Sequence, residues 1–307
     1  MKNKINLNSD VRDIFFSNVR KLFLKNKNNY ILTNDADVFE LKKIQKNKRF
    51  YNIGVAEQNL INIAAGLSKF RKLPIIFGFC SFITFRCYEQ LRFNIGSHNL
   101  DVKIIGIGPG FSFPYDGPTH HGTEDLYLTY LIPEFEIFNI SDNNLANLVS
   151  KKINQIKGPT YIRLDKGVLN YNLKIKYNLN KGYEYIKKQK KKSKLIITSG
   201  YFCKLALEAT QNLDDTSVIN IFRFKNFDKK SFVNDINKHT KIYVYDESSK
   251  NGGIFPIISQ IENLKKDFQL ITAPNKQIFL YYKTREEILK KLGLLSENLK
   301  KKLILKQ

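Results

Sequence analysis

Short apolar runs that alternate with helix-period segments constrain this chain more than any other feature. Residues 74–77 (Pro-Ile-Ile-Phe) and 102–107 (Val-Lys-Ile-Ile-Gly-Ile) are too short for helices. Such runs read as strands covered on both faces. Around them, Val11, Phe15, Val19, Leu22 and Phe23 fall at helical spacing within residues 11–27. The same period recurs through Ala56, Leu60, Ile63, Ala64 and Leu67 in 55–69, and 84–95 also reads as helical. Further strands are expected at 30–33, 135–140 and 160–164, and a helix at 143–156 with Ser141-Asp142 at its cap. The alternation predicts an α/β fold with a mostly parallel sheet flanked by helices. The Gly- and Pro-rich stretch 106–122 must be a loop, because it holds Pro109, Pro114 and Pro118. The first domain is expected over 1–170, a basic, Tyr/Asn-rich linker over 171–192, and a second α/β domain of the same kind over 193–307. Strands at 195–198, 217–221 and 242–245 and a helix around 202–212 mark that second domain.

At 307 residues the chain has the length of two domains, each able to bury a core. The formal charge of +23 invites a nucleic-acid partner, since basic patches bind phosphates through counterion release. Lysine carries most of the excess and is scattered along the whole length among many asparagines, so no such partner is expected. The Lys-rich clusters at 187–192 and 300–302 read as a solvated linker and a solvated tail. No apolar run has the length of a membrane span, and residues 1–5 lack a signal-peptide core, which points to the cytoplasm. Cys80, Cys87 and Cys203 have no metal-site spacing and read as buried, reduced thiols.

Two local patterns carry chemistry. In Gly54-Val-Ala-Glu57-Gln58, Glu57 opens a helix that continues with Leu60, Ile61, Ile63, Ala64, Ala65 and Leu67. A first-turn acid is ordinarily a solvated partner of the helix dipole. At the mouth of so apolar a helix, a raised pKa and proton donation or acceptance are expected instead. In Asp116-Gly-Pro-Thr-His120-His121-Gly122, two adjacent histidines point different ways, without HxH or HExxH spacing. A loop histidine of this kind suits hydrogen bonding or proton transfer with a substrate, or simply caps the loop.

These patterns occur in order with Arg86-Cys-Tyr-Glu-Gln-Leu-Arg92 between them and Gly122-Thr-Glu-Asp125 after them. The series resembles the pyrimidine-binding domain of transketolases and of 1-deoxyxylulose-5-phosphate synthases. Residues 195–254, with Thr198-Ser-Gly200, Tyr245-Asp-Glu-Ser and Asn251-Gly-Gly253, resemble the family's C-terminal domain. The resemblance implies thiamine diphosphate as cofactor, held between two domains. It makes Glu57 the carboxylate that activates the aminopyrimidine ring and His120 a catalytic, substrate-facing histidine. Asp37 matches an aspartate near the thiazolium ring, and Asp116 one that contacts substrate hydroxyls. His121, Arg86 and Arg12 fall at substrate-binding positions. Two-carbon ketol transfer between sugars is the activity implied. Condensation of pyruvate with an aldehyde, as in the synthases, is the alternative, and a non-catalytic subunit that kept the fold is another.

The chain departs from the family pattern at three places. Ile83 stands where relatives stack an aromatic ring on the pyrimidine, so Phe82 or Phe85 is expected to supply it. Gly108 stands where transketolases place a phosphate-contacting histidine, and Tyr115 where many relatives have Glu. A Gly-Asp-Gly motif, with which relatives hold the diphosphate through Mg²⁺, does not occur. Such a metal needs hard oxygen ligands. No metal site is therefore expected on this chain, and a separate N-terminal transketolase-like subunit is expected to hold Mg²⁺ in an α2β2 assembly with a sugar or sugar-phosphate substrate.

Overall fold

The computed structural model describes residues 9–171, 175–191, 193–264, 266–276 and 278–305. The start of the chain, read above for a leader, lies outside them. The first half runs α1 (Val11–Lys25), β1 (Asn29–Thr33), α2 (Phe39–Lys42), β2 (Phe50–Asn52), α3 (Glu57–Lys69) and β3 (Leu73–Phe79). It continues with α4 (Cys80–Thr84), α5 (Tyr88–Gln90) prolonged by a π-helical turn (Leu91–Gly96), and β4 (Lys103–Ile107). After a 3₁₀ turn (Pro118–His120) come α6 (Asp125–Tyr130), β5 (Glu136–Asn139), α7 (Asn143–Lys152) and β6 (Thr160–Leu164). The second half runs β7 (Tyr183–Lys187), β8 (Lys194–Thr198), α8 (Phe202–Thr210), β9 (Thr216–Ile221), α9 (Lys229–Asn237) and β10 (Lys241–Ser249). It ends with α10 (Ile254–Ile258), β11 (Phe268–Ala273), α11 (Arg285–Leu292) and α12 (Ser296–Ile304).

The first sheet has the order β2-β1-β3-β4-β6-β5, with every pairing parallel. Successive strand residues point to opposite faces, and here both faces are apolar. Ile31, Ile75, Phe77, Ile105 and Ile162 pack under α1 and α7, whereas Leu32, Ile76, Ile104 and Tyr161 join Leu60, Ile61 and Ala64 of α3. Asp142 caps α7 by accepting from Leu145 N at 2.8 Å, as its position suggested.

The second sheet has the order β11-β10-β8-β9-β7, parallel except for the antiparallel edge strand β7. That strand lies within the segment read from sequence as linker. Lys187 is accordingly not a solvated linker residue: its Nζ donates to Thr210 O and, at 2.7 Å, to Leu213 O. Lys300 to Lys302 line the exposed face of α12, in an ordered helix rather than a tail. The helix read at 84–95 is broken at Cys87 and finishes in the π turn.

The halves share a core, since Tyr183, Leu195, Ile197 and Ile219 belong to the same apolar cluster as Leu60 and Ile76. Backbone bonds join them as well, from Asn139 N to Phe222 O (3.0 Å) and from Phe224 N to Ile137 O (3.1 Å). Cys80, Cys87 and Cys203 are buried and free. Among the described residues no helix is long and apolar enough to cross a membrane.

Candidate active site

The carboxyl ends of β1, β3, β4 and β6 lie along one edge of the parallel sheet, the usual side for ligands in open α/β sheets. Just past β1, Asn34 is buried and donates from Nδ2 to Glu57 Oε1 at 2.9 Å. Its own Oδ1 is buried without a protein partner. At the end of β3, Gly78 makes room for this amide, because a Cβ there would stand 2.3 Å from Asn34 Oδ1.

Glu57 opens α3 and is only 3% exposed. Its second oxygen, Oε2, accepts from Arg86 Nη1 at 2.8 Å. Burial alone would raise this carboxyl's pKa, which was the sequence-based expectation. The Glu57 backbone amide, Asn34 and the Arg86 guanidinium outweigh burial and lower it. The expectation is corrected: the desolvated carboxylate is ionised because three donors hold it.

From Arg86 a chain of rings leads to the loop histidine. The guanidinium lies 4.7 Å from the Phe82 ring centre, and Phe82 lies 4.8 Å from His120 in an edge-on arrangement. His120 also meets Phe79 at 5.0 Å, and Phe79 meets Phe113 at 5.0 Å. Lys166, just past β6, holds its ammonium 4.2 Å from the Phe113 ring centre. Asn34, Glu57, Arg86, Phe82, His120, Phe113 and Lys166 thus form one contiguous wall.

The remaining sequence-selected residues are not part of this wall, although Arg12 shares a cavity with its Lys166. Asp37 is 55% exposed in its side chain and pairs with Lys42 at 2.6 Å, so Asn34 rather than Asp37 touches Glu57. His121 is buried against Phe111 at 4.9 Å, with both ring nitrogens lacking protein partners. Burial first, and then the neighbouring His120, push its pKa down to about 4, so it is neutral. Phe85 lines the same cavity of about 460 Å³ as His121. Ile83 is wholly buried in the core and presents no face to a ligand. Asp116 is exposed on the loop, as is Tyr115. Arg12 pairs with Asp10, the cap of α1, at 2.9 Å and lines a cavity of about 400 Å³ with Ser112, Lys166 and Lys283.

Sequence reasoning missed Asn34, Phe113 and Lys166. The positions of Asn34 and Lys166 immediately after strands were the available signal. No comparable signal marks Phe113. Among the described residues, no group of three or more His, Cys, Asp or Glu side chains is placed to hold a metal ion.

Fold and site define a two-domain α/β chain with a carboxylate and an aromatic wall at its strand ends. Residues 30–172 match the family model for the transketolase pyrimidine binding domain, and residues 182–298 that for the transketolase C-terminal domain. The chain belongs to the transketolase family and corresponds to its C-terminal section. A 6-deoxy-6-sulfo-D-fructose transketolase subunit from Clostridium sp. (strain MSTE9) is 26% identical, covering 74% of this chain and 73% of that protein. A subunit of an apulose-4-phosphate transketolase from Actinobacillus succinogenes is 25% identical, covering 69% and 70%. A 1-deoxy-D-xylulose-5-phosphate synthase from Corynebacterium glutamicum is 26% identical over 92% of this chain, which spans 46% of that protein. A solved split-gene transketolase, described as an inactive beta4 tetramer, superposes with a TM-score of 0.80 at 24% identity, covering 95% and 96% of the two chains.

Proposed function

We infer that this chain is the C-terminal subunit of a thiamine-diphosphate-dependent enzyme that moves a two-carbon ketol unit between sugars. A separate N-terminal subunit would hold the diphosphate and Mg²⁺. The observation that carries the reading is Glu57, a buried, ionised carboxylate beside an aromatic wall that ends in His120. The relatives described as subunits favour a two-chain arrangement, and we take its form to be α2β2. Buried free thiols accord with a reducing, cytoplasmic compartment.

The residues present fit the pyrimidine part of the cofactor. Thiamine diphosphate, when bound, supplies the electron sink for the two-carbon fragment. Glu57 would offer a carboxylate oxygen to the aminopyrimidine, and Asn34 would hold that carboxylate in place through Oε1. Arg86 covers the other oxygen but is half-exposed, so it is free to swing aside. Phe82, rather than Phe85, presents an apolar ring beside this carboxylate. His120 would hold or pass a proton at a substrate oxygen. Asp116 would meet substrate hydroxyls, and Arg12 and Lys166 would face an anionic end of the substrate. Asp37, exposed and paired with Lys42, and the buried His121 we take to lie outside direct contact.

The identity shared with 1-deoxy-D-xylulose-5-phosphate synthase over most of this chain favours a second reading, condensation of pyruvate with an aldehyde. Product analysis of the complex reconstituted with its partner tests both. Ketol transfer from a ketose donor is expected. Condensation of pyruvate with an aldehyde acceptor, with release of CO2 and no transfer from a ketose, would replace this reading with the second.

A further inference from the structure

The loop that carries Asp116 and His120 leaves β4 and closes through an antiparallel bridge between Gly110 and Gly122, with N–O distances of 2.6 and 2.9 Å. Much of what holds its first half comes from the second domain. Glu247 of β10 accepts from Phe111 N at 3.1 Å and from Arg285 Nε at 2.7 Å. Arg285, the first residue of α11, reaches Glu247 again through Nη2 and donates from Nη1 to Asp165 Oδ2 at 2.7 Å. The other oxygen of Asp165 accepts from Ser112 Oγ at 2.6 Å and from Lys166 N at 2.8 Å.

Backbone fit is close at two points. Gly110 has φ +62°, and a Cβ there would stand 1.8 Å from Glu247 Oε2. Gly117, at φ +74°, lies under the Tyr281 ring, which a Cβ would meet at 2.0 Å, and Tyr282 N reaches Pro114 O at 3.4 Å. The second domain therefore touches the loop at 110, 111, 114 and 117 directly, and at 112 through Asp165.

Arg285, Glu247 and Asp165 are all buried. Burying three charges costs desolvation that only well-formed hydrogen bonds offset, and an apolar cluster often serves stability as well. What the charged cluster adds is direction, because each arm of the guanidinium fork has a fixed partner. We propose that Arg285 and Glu247 are positioning residues, through which the second domain clamps the loop and fixes His120 against Phe82. They act through the loop rather than by touching substrate. The clamp rests on the structure itself, and only its kinetic consequence rests on the ketol-transfer reading.

The test uses the full chain assembled with its partner and the variant Arg285→Lys, which keeps the charge but loses the fork. Amide exchange is followed in residues 108–122, with β4 and β6 as internal references. Loop exchange should accelerate on the order of tenfold while the reference strands stay unchanged. Turnover should fall about tenfold or more, with the cofactor concentration for half-maximal rate held within about twofold. Uniform acceleration across both sheets, or an unchanged loop, would overturn the proposal. Should Arg285→Lys fail to fold, Tyr281→Ala serves, since this ring is 67% exposed and empties no core. Faster exchange confined to 113–118 is then expected, and no change there would overturn the clamp. A loop loosened as expected, in a complex without ketol transfer, upholds the clamp and overturns the functional reading instead.

Discussion

The Glu57 backbone amide, Asn34 and Arg86 together decide the state of Glu57, and His121, the residue next to His120, shows the opposite outcome. Its imidazole is buried with no protein partner, and its pKa falls to about 4 from an ordinary 6.5. The unfolded chain takes up a proton there that the folded chain refuses, so His121 lowers stability as pH falls from about 6.5 towards 4. The slope attributable to it is up to about 1.4 kcal/mol per pH unit. Urea unfolding of His121→Gln between pH 7 and pH 4.5 should show a shallower acid decline than the parent; parallel curves would contradict the assignment. The motif pointed to Glu57 and His120, because a carboxylate ahead of an apolar helix and a histidine on a Pro-bounded loop are visible as residue types. Which way each points was not visible. The lowering of the Glu57 pKa draws on Asn34 and Arg86, far from it in the chain, and the burial of His121 depends on Phe111 and on the loop's closure.

Among the elements, β6, α6 and the loop between β4 and α6 are tied by a second buried arginine. Arg163 donates to Asp125 at 2.9 and 3.0 Å and to Gly122 O at 3.2 Å, while Tyr161 donates to the same carboxylate at 2.6 Å. Arg163→Met leaves the buried Asp125 carboxyl without its cation, and should cost about 3–5 kcal/mol. Adding Asp125→Leu should recover part of that loss, which chemical denaturation of the single and double variants measures. A loss no greater than that of a surface substitution would contradict this. Legibility followed the same physics. The central strands were readable because each carries apolar residues to both faces, as Ile75, Ile76 and Phe77 do. By contrast, β7 (Tyr-Glu-Tyr-Ile-Lys) is a half-buried edge strand with only partial alternation, and it reads as linker until β9 supplies its partner. The three-residue β2 is too short to give any period.

Over the whole molecule, the formal charge of +23 is carried by lysines spread along the chain. Tight duplex binding is therefore not expected at physiological salt; tight binding there with a steep salt slope in a fluorescence titration would show a nucleic-acid partner after all. The chain carries the family's pyrimidine-binding and C-terminal domains, and the proposed partner would complete the site. The central claim is that the buried carboxylate at the head of α3 activates the cofactor in that assembly. The most direct measurement is ketol-transfer rate in the reconstituted complex, parent against Glu57→Gln. Glutamine keeps the volume and the Asn34 contact while removing the charge, so both complexes should assemble alike. A loss of about 10²–10⁴-fold, the range for a positioned acid–base group, is the predicted result. Full activity in the Glu57→Gln complex would contradict it.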